Sequence, residues 1–489
     1  MRLLFGVTIA MSLFCVLAPA APAEGADGDD QAAWHVGVSV RDITPTEPIW
    51  MAGYAARTEP SESVEQPIHA KVLVVRDRND GLAAIVTFDL IGITPEMRVQ
   101  IAERAAKAGI DGNSLLLNAS HTHCGPELRD ERLIRFGIDA RYAALSRQYV
   151  RKLCEQVGDA IDEAAKHLQP ATLKYTHARA GFAMNRRLPT ENGFINSPNP
   201  DGPVDHSVPV LRAESADGKL LAVLFGYACH NTTLSFNKIC GDYSGYAQAY
   251  VEERHPGAVA MYVNGCSADQ NPYPRRTLEL AQQHGRALAN AVETALETRA
   301  VREVRGPLGT SLQHATLDFA AAPTAEQLEA EIKSSNKYAR FHAQTMLEQL
   351  KRHGNIPTTY DCFPVQTIRF GNDLTLVALC GESVVDYSLR LKRELAGNET
   401  GNATGNATGN ATEDAAESAA VWVAGYSNHV FGYLPSLRVL KEGGYEGGGA
   451  MLYTSFPGAF SESVEDRIMS AVRSTLEASR KQQAAATAR

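Results

Sequence analysis

The sequence lacks most of what would assign it to a nucleic-acid binder, a disulfide-stapled domain or a membrane protein. Basic residues are outnumbered by acidic ones, 47 to 56, for a formal net charge of −9. That balance argues against a basic face built to hold a polyanion. Cysteine is sparse: eight in 489 residues. One of them, Cys15, lies in the first apolar run. The other seven are scattered, odd in number and without a CxxC pair, so neither a disulfide scaffold nor a structural zinc knuckle is written here. They leave room for one or two bridges in an oxidising compartment. After the first twenty or so positions no run is apolar and long enough to cross a bilayer. There is no HExxH, no Walker loop and no GxGxxG following a strand, which removes the common zinc-protease, nucleotide and dinucleotide signatures.

What is there begins with Met1 and Arg2, an apolar run to Leu17, and the small-residue site Ala21-Pro22-Ala23. This reads as a cleaved leader over 1–23 and predicts a secreted or periplasmic protein. A small, acidic, disordered mature N-terminus over 24–35 is expected next. One large domain follows over 36–482, with a disordered tail over 483–489. Inside that domain, 397–418 carries a Gly-Asn-Ala/Glu-Thr repeat with Asn-x-Thr acceptors at Asn398, Asn402, Asn406 and Asn410. It holds no apolar residue larger than alanine near the repeats, which predicts a flexible surface loop. Ala325 to Arg352 reads as one or two charged helices inserted in the domain.

Elsewhere, short apolar runs rich in Val, Ile and Leu alternate with helical periods. Leu115–Leu117, Leu221–Tyr227, Ala258–Val263, Leu374–Leu379 and Val421–Ala424 read as strands, and most are followed by helical segments. The pattern predicts an α/β fold with a largely parallel β-sheet core flanked by helices. Polar residues crowd just past these strands: His121-Thr-His123, His230-Asn-Thr-Thr, Asn264 to Pro272, Gly381-Glu382, and Gly425 to Tyr433. A ligand or metal site at the carboxyl ends of the strands is the expectation.

His121 and His123 stand two residues apart, a spacing that on a strand points both to one side. Imidazole is the commonest side-chain metal ligand. Either histidine pair or carboxylate alone could be an ordinary buried polar group. Together, two histidine sites and a carboxylate match the donor set of catalytic zinc. The mechanistic rival is a serine hydrolase, since Gly265-Cys266-Ser267-Ala268-Asp269 resembles a nucleophile elbow. Asp269 replaces the second glycine, and Pro272 and Pro274 block the helix that an elbow requires.

The assembled pieces resemble the N-terminal catalytic domain of the neutral/alkaline non-lysosomal ceramidases. The likeness runs from about Val36 to about Arg480. It rests on Val-Gly-Val-Ser-Val-Arg-Asp-Ile-Thr-Pro with Met-Ala-Gly-Tyr-Ala, on His121-Thr-His123-Cys-Gly-Pro, on Asn185-Arg186, and on Ala228-Cys229-His230. Gly241-Asp242-Tyr-Ser-Gly-Tyr246, Gly381-Glu382, Gly425 to Tyr433 and Tyr445-Glu446 complete it. The resemblance implies one Zn²⁺ held by His121, His230, Glu382 and Tyr433. It implies catalytic roles for His123, Arg186 and Tyr445 around an amide carbonyl attacked by metal-activated water. Where the family carries a serine proposed to act in catalysis, this chain has Asn271. An amide cannot serve as an alkoxide nucleophile, so Asn271 is expected to hydrogen-bond the substrate or the water.

The function so implied is a secreted zinc hydrolase that cleaves an N-acyl bond of a ceramide-like or other acylated, lipid-sized substrate, without nucleic-acid partners. The alternatives are an esterase or deacetylase on the same scaffold, or a metal-containing lipid- or glycan-binding protein without turnover. The repeat loop is expected to be dispensable, because loop closure varies slowly with length. Replacing residues 397–412 by a short Gly/Ser linker should leave the melting temperature and metal content unchanged; loss of either would show that the segment packs on the domain.

Overall fold

The computed structural model describes residues 33–397 and 419–488. The segments expected to form a leader and a flexible repeat loop lie outside the described residues. The domain is built from two sheets pressed face to face, with helices on both outer surfaces. The larger sheet has nine strands. From one edge to the other its main path runs Val259–Asn264, Leu220–Tyr227, Ser207–Ser215, Gln169–Arg179, Trp34–Asp42, His69–Asp77, Leu82–Phe88 and Leu115–Ala119, with Arg302–Val304 added beside Gln169–Arg179. The smaller sheet runs Leu308–Asp318, Thr359–Phe370, Leu374–Leu379 and Ala420–Ala424.

Alternation along each strand decides the layers. In the larger sheet Leu73, Val75, Ile85, Leu116, Leu224 and Met261 face inward. They meet Ile368, Phe370, Leu376, Ala378 and Trp422 of the smaller sheet in one buried cluster. The intervening residues Val72, Val74, Val86, Leu115 and Leu117 face outward onto helices Pro95–Lys107 and Ala140–Lys166. Further along the same sheet, Val210, Val223, Phe225 and Tyr262 are covered by helices Asp242–Arg254 and Leu278–Glu297. The outer face of the smaller sheet lies under Val385–Gly397 and Val464–Thr487. The helices start where side chains can take up the free N–H groups. Thr94 caps Met97, Asp139 caps Arg141, and Thr277 caps Leu280.

The sheets are mixed, not largely parallel. Only Leu82–Phe88 with Leu115–Ala119 and Leu220–Tyr227 with Val259–Asn264 pair in parallel in the larger sheet; Leu374–Leu379 with Ala420–Ala424 does so in the smaller. The remaining ladders within the two sheets are antiparallel. The expectation of a parallel core came from reading the apolar strands and missing the half-polar ones. Gln169–Arg179 and Leu308–Asp318 carry exposed residues, as does the start of Thr359–Phe370, and Ser207–Ser215 is only partly covered at its ends, so their patterns are weak.

Other boundaries move as well. The first strand starts at Trp34, whose indole donates to the Val304 carbonyl at 2.7 Å and is fully buried. The residues expected to form a disordered tail from 483 continue the last helix to Thr487. Gln483 anchors them, donating to the carbonyls of Pro307 (2.8 Å) and Gly371 (3.0 Å) and accepting from Arg369. The inserted segment forms two helices, Ala325–Glu331 and Lys337–His353, over a small cluster of their own. All seven cysteines among the described residues are free, and six are buried. Among the described residues no helix is long and apolar enough to cross a membrane.

One side chain closes the arrangement. Asn118 sits near the end of Leu115–Ala119, on the inward face and fully buried. Its Oδ1 accepts from the backbone N–H of Asn264 (2.9 Å), the last residue of the opposite edge strand. Its Nδ2 donates to the Gly425 carbonyl (2.8 Å) and to Ser427 Oγ (3.1 Å), just past the edge strand of the smaller sheet. Three strand ends are thereby held together. Asn118→Ala strands a buried N–H and weakens the satisfaction of a buried carbonyl, so it should cost about 2–4 kcal/mol in urea unfolding. A loss within experimental error would show that the strand ends are held by packing alone.

Candidate metal centre and active site

Each candidate metal ligand follows one of the parallel-paired strands, whereas Arg186 and Asn271 lie on the antiparallel strands Ala183–Thr190 and Gln270–Pro272. His121 follows Leu115–Ala119 by two residues, and its backbone turns into the left-handed region, φ 63°. A non-glycine residue held there is strained and needs support from its surroundings. The support is its own N–H on the Leu90 carbonyl (2.9 Å) and Nδ1 on the Ile91 carbonyl (2.6 Å). A carbonyl only accepts, so Nδ1 carries the proton and Nε2 turns a lone pair inward. His230 follows Leu220–Tyr227, and its Nδ1 faces the Ser267 carbonyl at 3.2 Å with the same consequence. Ser267, the nucleophile of the rejected elbow, is fully buried and serves here through its backbone.

His123 Nε2 approaches His121 Nε2 to 3.2 Å. The two histidines do share a cavity, but not by strand spacing. The strand has already ended at Ala119, and the turn at His121 brings the rings together. Gly53, from the Met51-Ala-Gly-Tyr loop, passes so close that a Cβ there would lie 2.4 Å from the His123 ring. Tyr54 meets that ring edge-on, 4.7 Å between centroids.

Glu382 stands after Leu374–Leu379, beyond the Gly381 turn at φ 73°. Its Oε2 lies 3.3 Å from His121 Nε2 and 3.6 Å from His230 Nε2. A two-residue parallel ladder sets Glu382 beside Tyr433. The ring nitrogens of His121, His123 and His230 all lie within 4.8 Å of one another. Burial, and then neighbouring charges, hold His123 and His230 well below the usual imidazole range, so both are neutral and can donate lone pairs. Burial acts to raise the Glu382 carboxyl. The polar and charged groups around it, the Arg186 guanidinium among them, outweigh burial and keep Glu382 ionised. Glu382 Oε2 is nonetheless buried without a hydrogen-bond donor.

These are the conditions a cation satisfies. Ligand atoms about 2.0–2.1 Å from zinc at tetrahedral corners lie roughly 3.3 Å apart. The spacings of 3.2, 3.3 and 3.6 Å between His121, His123, His230 and Glu382 fall at that value. The residues present therefore fit a small metal ion.

Arg186, fully within the domain at 4% exposure, ties the second layer together. Its Nη2 donates to Tyr433 Oη (3.0 Å), Nη1 to Asn271 Oδ1 (3.3 Å) and Nε to Glu446 Oε1 (2.8 Å). Glu446 also takes Arg187 Nη1 at 2.7 Å. Asn271 is fully buried. Besides Arg186, it accepts from Thr232 Oγ1 and donates to Tyr273 Oη, each at 3.3 Å. It stands behind the arginine and does not line the pocket. Tyr445 does line it, 39% exposed, its ring 5.2 Å from that of Tyr433. Burial, with the Glu382 charge, pushes the Tyr445 hydroxyl up to about 12, so it remains a donor at neutral pH. His121, His123, Glu382, Tyr433 and Tyr445 thus border one pocket of about 700 Å³.

The sequence reading gave no role to Glu446, the anchor of Arg186, or to Tyr426, whose hydroxyl lies 3.3 Å from His230 Nδ1. Glu446 adjoins Tyr445, and Tyr426 lies just past Ala420–Ala424. The rule that placed the other residues at strand ends would have found Tyr426.

The fold and this site define an α/β protein with a buried histidine–carboxylate cluster that could hold a metal ion. Residues 34–270 match the family model described as neutral/alkaline non-lysosomal ceramidase, N-terminal, so the resemblance carried by the motifs holds. Neutral ceramidase of Pseudomonas aeruginosa is 26% identical over 284 residues, a match covering 54% of this chain but only 40% of that protein. The crystal structure of neutral ceramidase from the same organism superposes with a TM-score of 0.68 at 19% identity, over 92% of this chain and 75% of that one. A ceramidase complexed with C2 gives 0.67 at 19% identity, over 91% and 76%. At such identity the structural likeness is one of fold.

If the histidines and Glu382 hold a metal, zinc-loaded protein should carry about one ion per chain by elemental analysis, and His230→Ala should fall to background, since a three-residue His/Glu set rarely keeps its metal after losing one member. Undiminished zinc in that variant would remove His230 from the centre.

Proposed function

We propose that this protein is an exported zinc-dependent amidohydrolase of the neutral ceramidase type, acting on the N-acyl bond of a ceramide-like or other acylated substrate. The observation that carries the reading is the convergence of the His121 and His230 Nε2 atoms on the unpartnered Glu382 Oε2, at 3.3 and 3.6 Å, with His123 Nε2 3.2 Å from that of His121. Neutral ceramidase as the name of the relatives supports the amide as the bond. Export is supported by the apolar N-terminal run alone.

In this reading His121, His230, Glu382 and Tyr433 hold the ion. Zinc so held supplies Lewis acidity and an activated water. The Tyr445 hydroxyl, protonated at neutral pH and open to the pocket, donates to the carbonyl oxygen as negative charge gathers there. Arg186 orients Tyr433 through Nη2 and adds a fixed positive charge behind it. Glu446 and Asn271 hold the guanidinium in place. His123, on the pocket wall, positions the substrate or moves a proton toward the leaving nitrogen.

Asn271 acts only through Arg186 in this scheme. Asn271→Ala should keep its zinc and lose about 10-fold in kcat, less than the 10²–10³ that follows removal of a direct oxyanion donor. The measurement is zinc content and rate over a panel of N-acyl and O-acyl substrates. A wild-type protein that binds zinc yet turns over none of them would favour a binding protein. Loss of activity in Asn271→Ala as complete as in His230→Ala, with zinc retained, would place Asn271 in the chemistry itself.

A further inference from the structure

The pocket that holds the candidate metal centre opens into a wider groove of about 1370 Å³, and Leu128, Arg129, Arg132, Val430, Phe431 and Tyr453 border both. The junction is unusual for an acidic chain. Two guanidinium groups meet there, beside the carboxylate of Glu127, which is buried at 4% exposure. Arg129 uses that carboxylate up. Its Nε lies 2.6 Å from Oε1 and its Nη2 3.0 Å from Oε2, and the N–H groups of Leu128 and Arg129 also donate to Oε1. Arg132 is left 3.9 Å from Glu127 Oε2, beyond hydrogen-bond reach, with its guanidinium 5.3 Å from the Phe136 ring centroid.

The neighbouring arginines differ in this respect. Arg135 donates to the Thr454 carbonyl (3.0 Å) and Ser455 Oγ (2.9 Å), and Arg147 pairs with Asp130 at 2.8 Å. Only 18% of the Arg132 side chain is exposed. A guanidinium largely removed from water, short of acceptors and on the wall of a pocket is a ready partner for an anion. The walls beside it, Leu128, Val430 and Phe431, are apolar and suit an acyl chain.

Resting on the hydrolase reading above, we propose that Arg132, backed by Arg129, selects N-acyl substrates whose amine portion carries an anion, so that a charged N-acyl compound is preferred over a neutral one. Carboxylate, sulfonate and phosphate share the chemistry a guanidinium recognises.

Four N-dodecanoyl substrates separate these sources: the glycine, taurine and ethanolamine-phosphate conjugates, and neutral N-dodecanoylethanolamine. Zinc-loaded wild type, Arg132→Gln and Arg132→Lys are compared, with thermal melts confirming that the variants fold. A charge-assisted hydrogen bond contributes roughly 10- to 100-fold. Wild type should therefore favour at least one anionic conjugate over the neutral one by about that ratio in kcat/KM. The ratio should collapse in Arg132→Gln and largely survive in Arg132→Lys. In parallel, calorimetry with dodecanesulfonate should show binding by wild type that weakens at least about tenfold in Arg132→Gln. A wild-type ratio near one, or a ratio and a sulfonate affinity that Arg132→Gln leaves unchanged, overturns the proposal. Sulfonate binding that depends on Arg132 in a protein that cleaves none of the four would uphold the anion site and defeat the hydrolase reading. Cleavage without anion preference would do the reverse.

Discussion

The buried amide of Asn118 is the contact on which the site depends. Its donor and acceptor join the ends of three strands, two from opposite edges of the larger sheet and one from the smaller. The next residues along each chain are the functional ones: His121 beyond the first strand, the Gly265 to Asn271 loop beyond the second, Tyr426 to Tyr433 beyond the third. An amide suits this place because it can donate and accept at once, and two backbone groups and the Ser427 hydroxyl converge on it. Around it, the Ala119 N–H donates to the Tyr426 carbonyl, the Gly425 N–H to the Asn264 carbonyl, and the Asn428 N–H to the Leu117 carbonyl. The sheets could pack in other registers by hydrophobicity alone. These directional bonds allow one.

Electrostatics inside the domain are arranged in two layers. Neutral imidazoles and one ionised carboxylate face the pocket. Behind them, Arg186 and Arg187 share the buried carboxylate of Glu446, with side-chain exposures of 5%, 2% and 3%. A buried ion pair contributes little net stability against an apolar replacement, yet losing one partner leaves an uncompensated charge costing about 3–5 kcal/mol. Such a network is better understood as a positioning device. It fixes the Tyr433 hydroxyl next to Glu382, where a long arginine side chain in water would sample many rotamers. The acidic surface and the cationic lining also divide the protein by sign. A net charge of −9 is spread over the whole chain, while Arg129 and Arg132 stand at the pocket rim. At physiological ionic strength the screening length is about 8 Å, so the local pair, not the distant surface, sets the potential an entering substrate meets.

How far the sequence could be read depended on whether each signal was local. Short, mostly apolar strands such as Leu115–Ala119 and Leu374–Leu379 were legible because both faces are buried. The polar clusters after them were legible for the same reason: a strand that must end in a turn presents its next residues at the sheet's edge. The half-polar strands were not, since a strand such as Leu308–Asp318 mixes Gly, Thr, Ser, Gln and His with a few apolar residues. Missing them turned a mixed sheet into a parallel one, although the strand ends that feed the site are the parallel-paired ones.

The sequence by itself set the order of the candidate polar groups, His121, His123, His230 and Glu382, each shortly after an apolar run or a glycine turn, while Tyr433 entered only through the family resemblance. It also weighed against a serine nucleophile, because prolines and Asp269 deny the elbow its helix. The tertiary structure alone decided which atoms meet. A left-handed turn at His121, not strand alternation, points its Nε2 toward His123. Asn271 is buried against Arg186 and Thr232, away from the pocket wall. The under-satisfied Arg132 is visible only because Arg129, three residues earlier, reaches Glu127 first. Each of these is a contest between groups far apart or differently turned in the chain, and a contest over a shared partner is settled by distance, which a sequence does not contain.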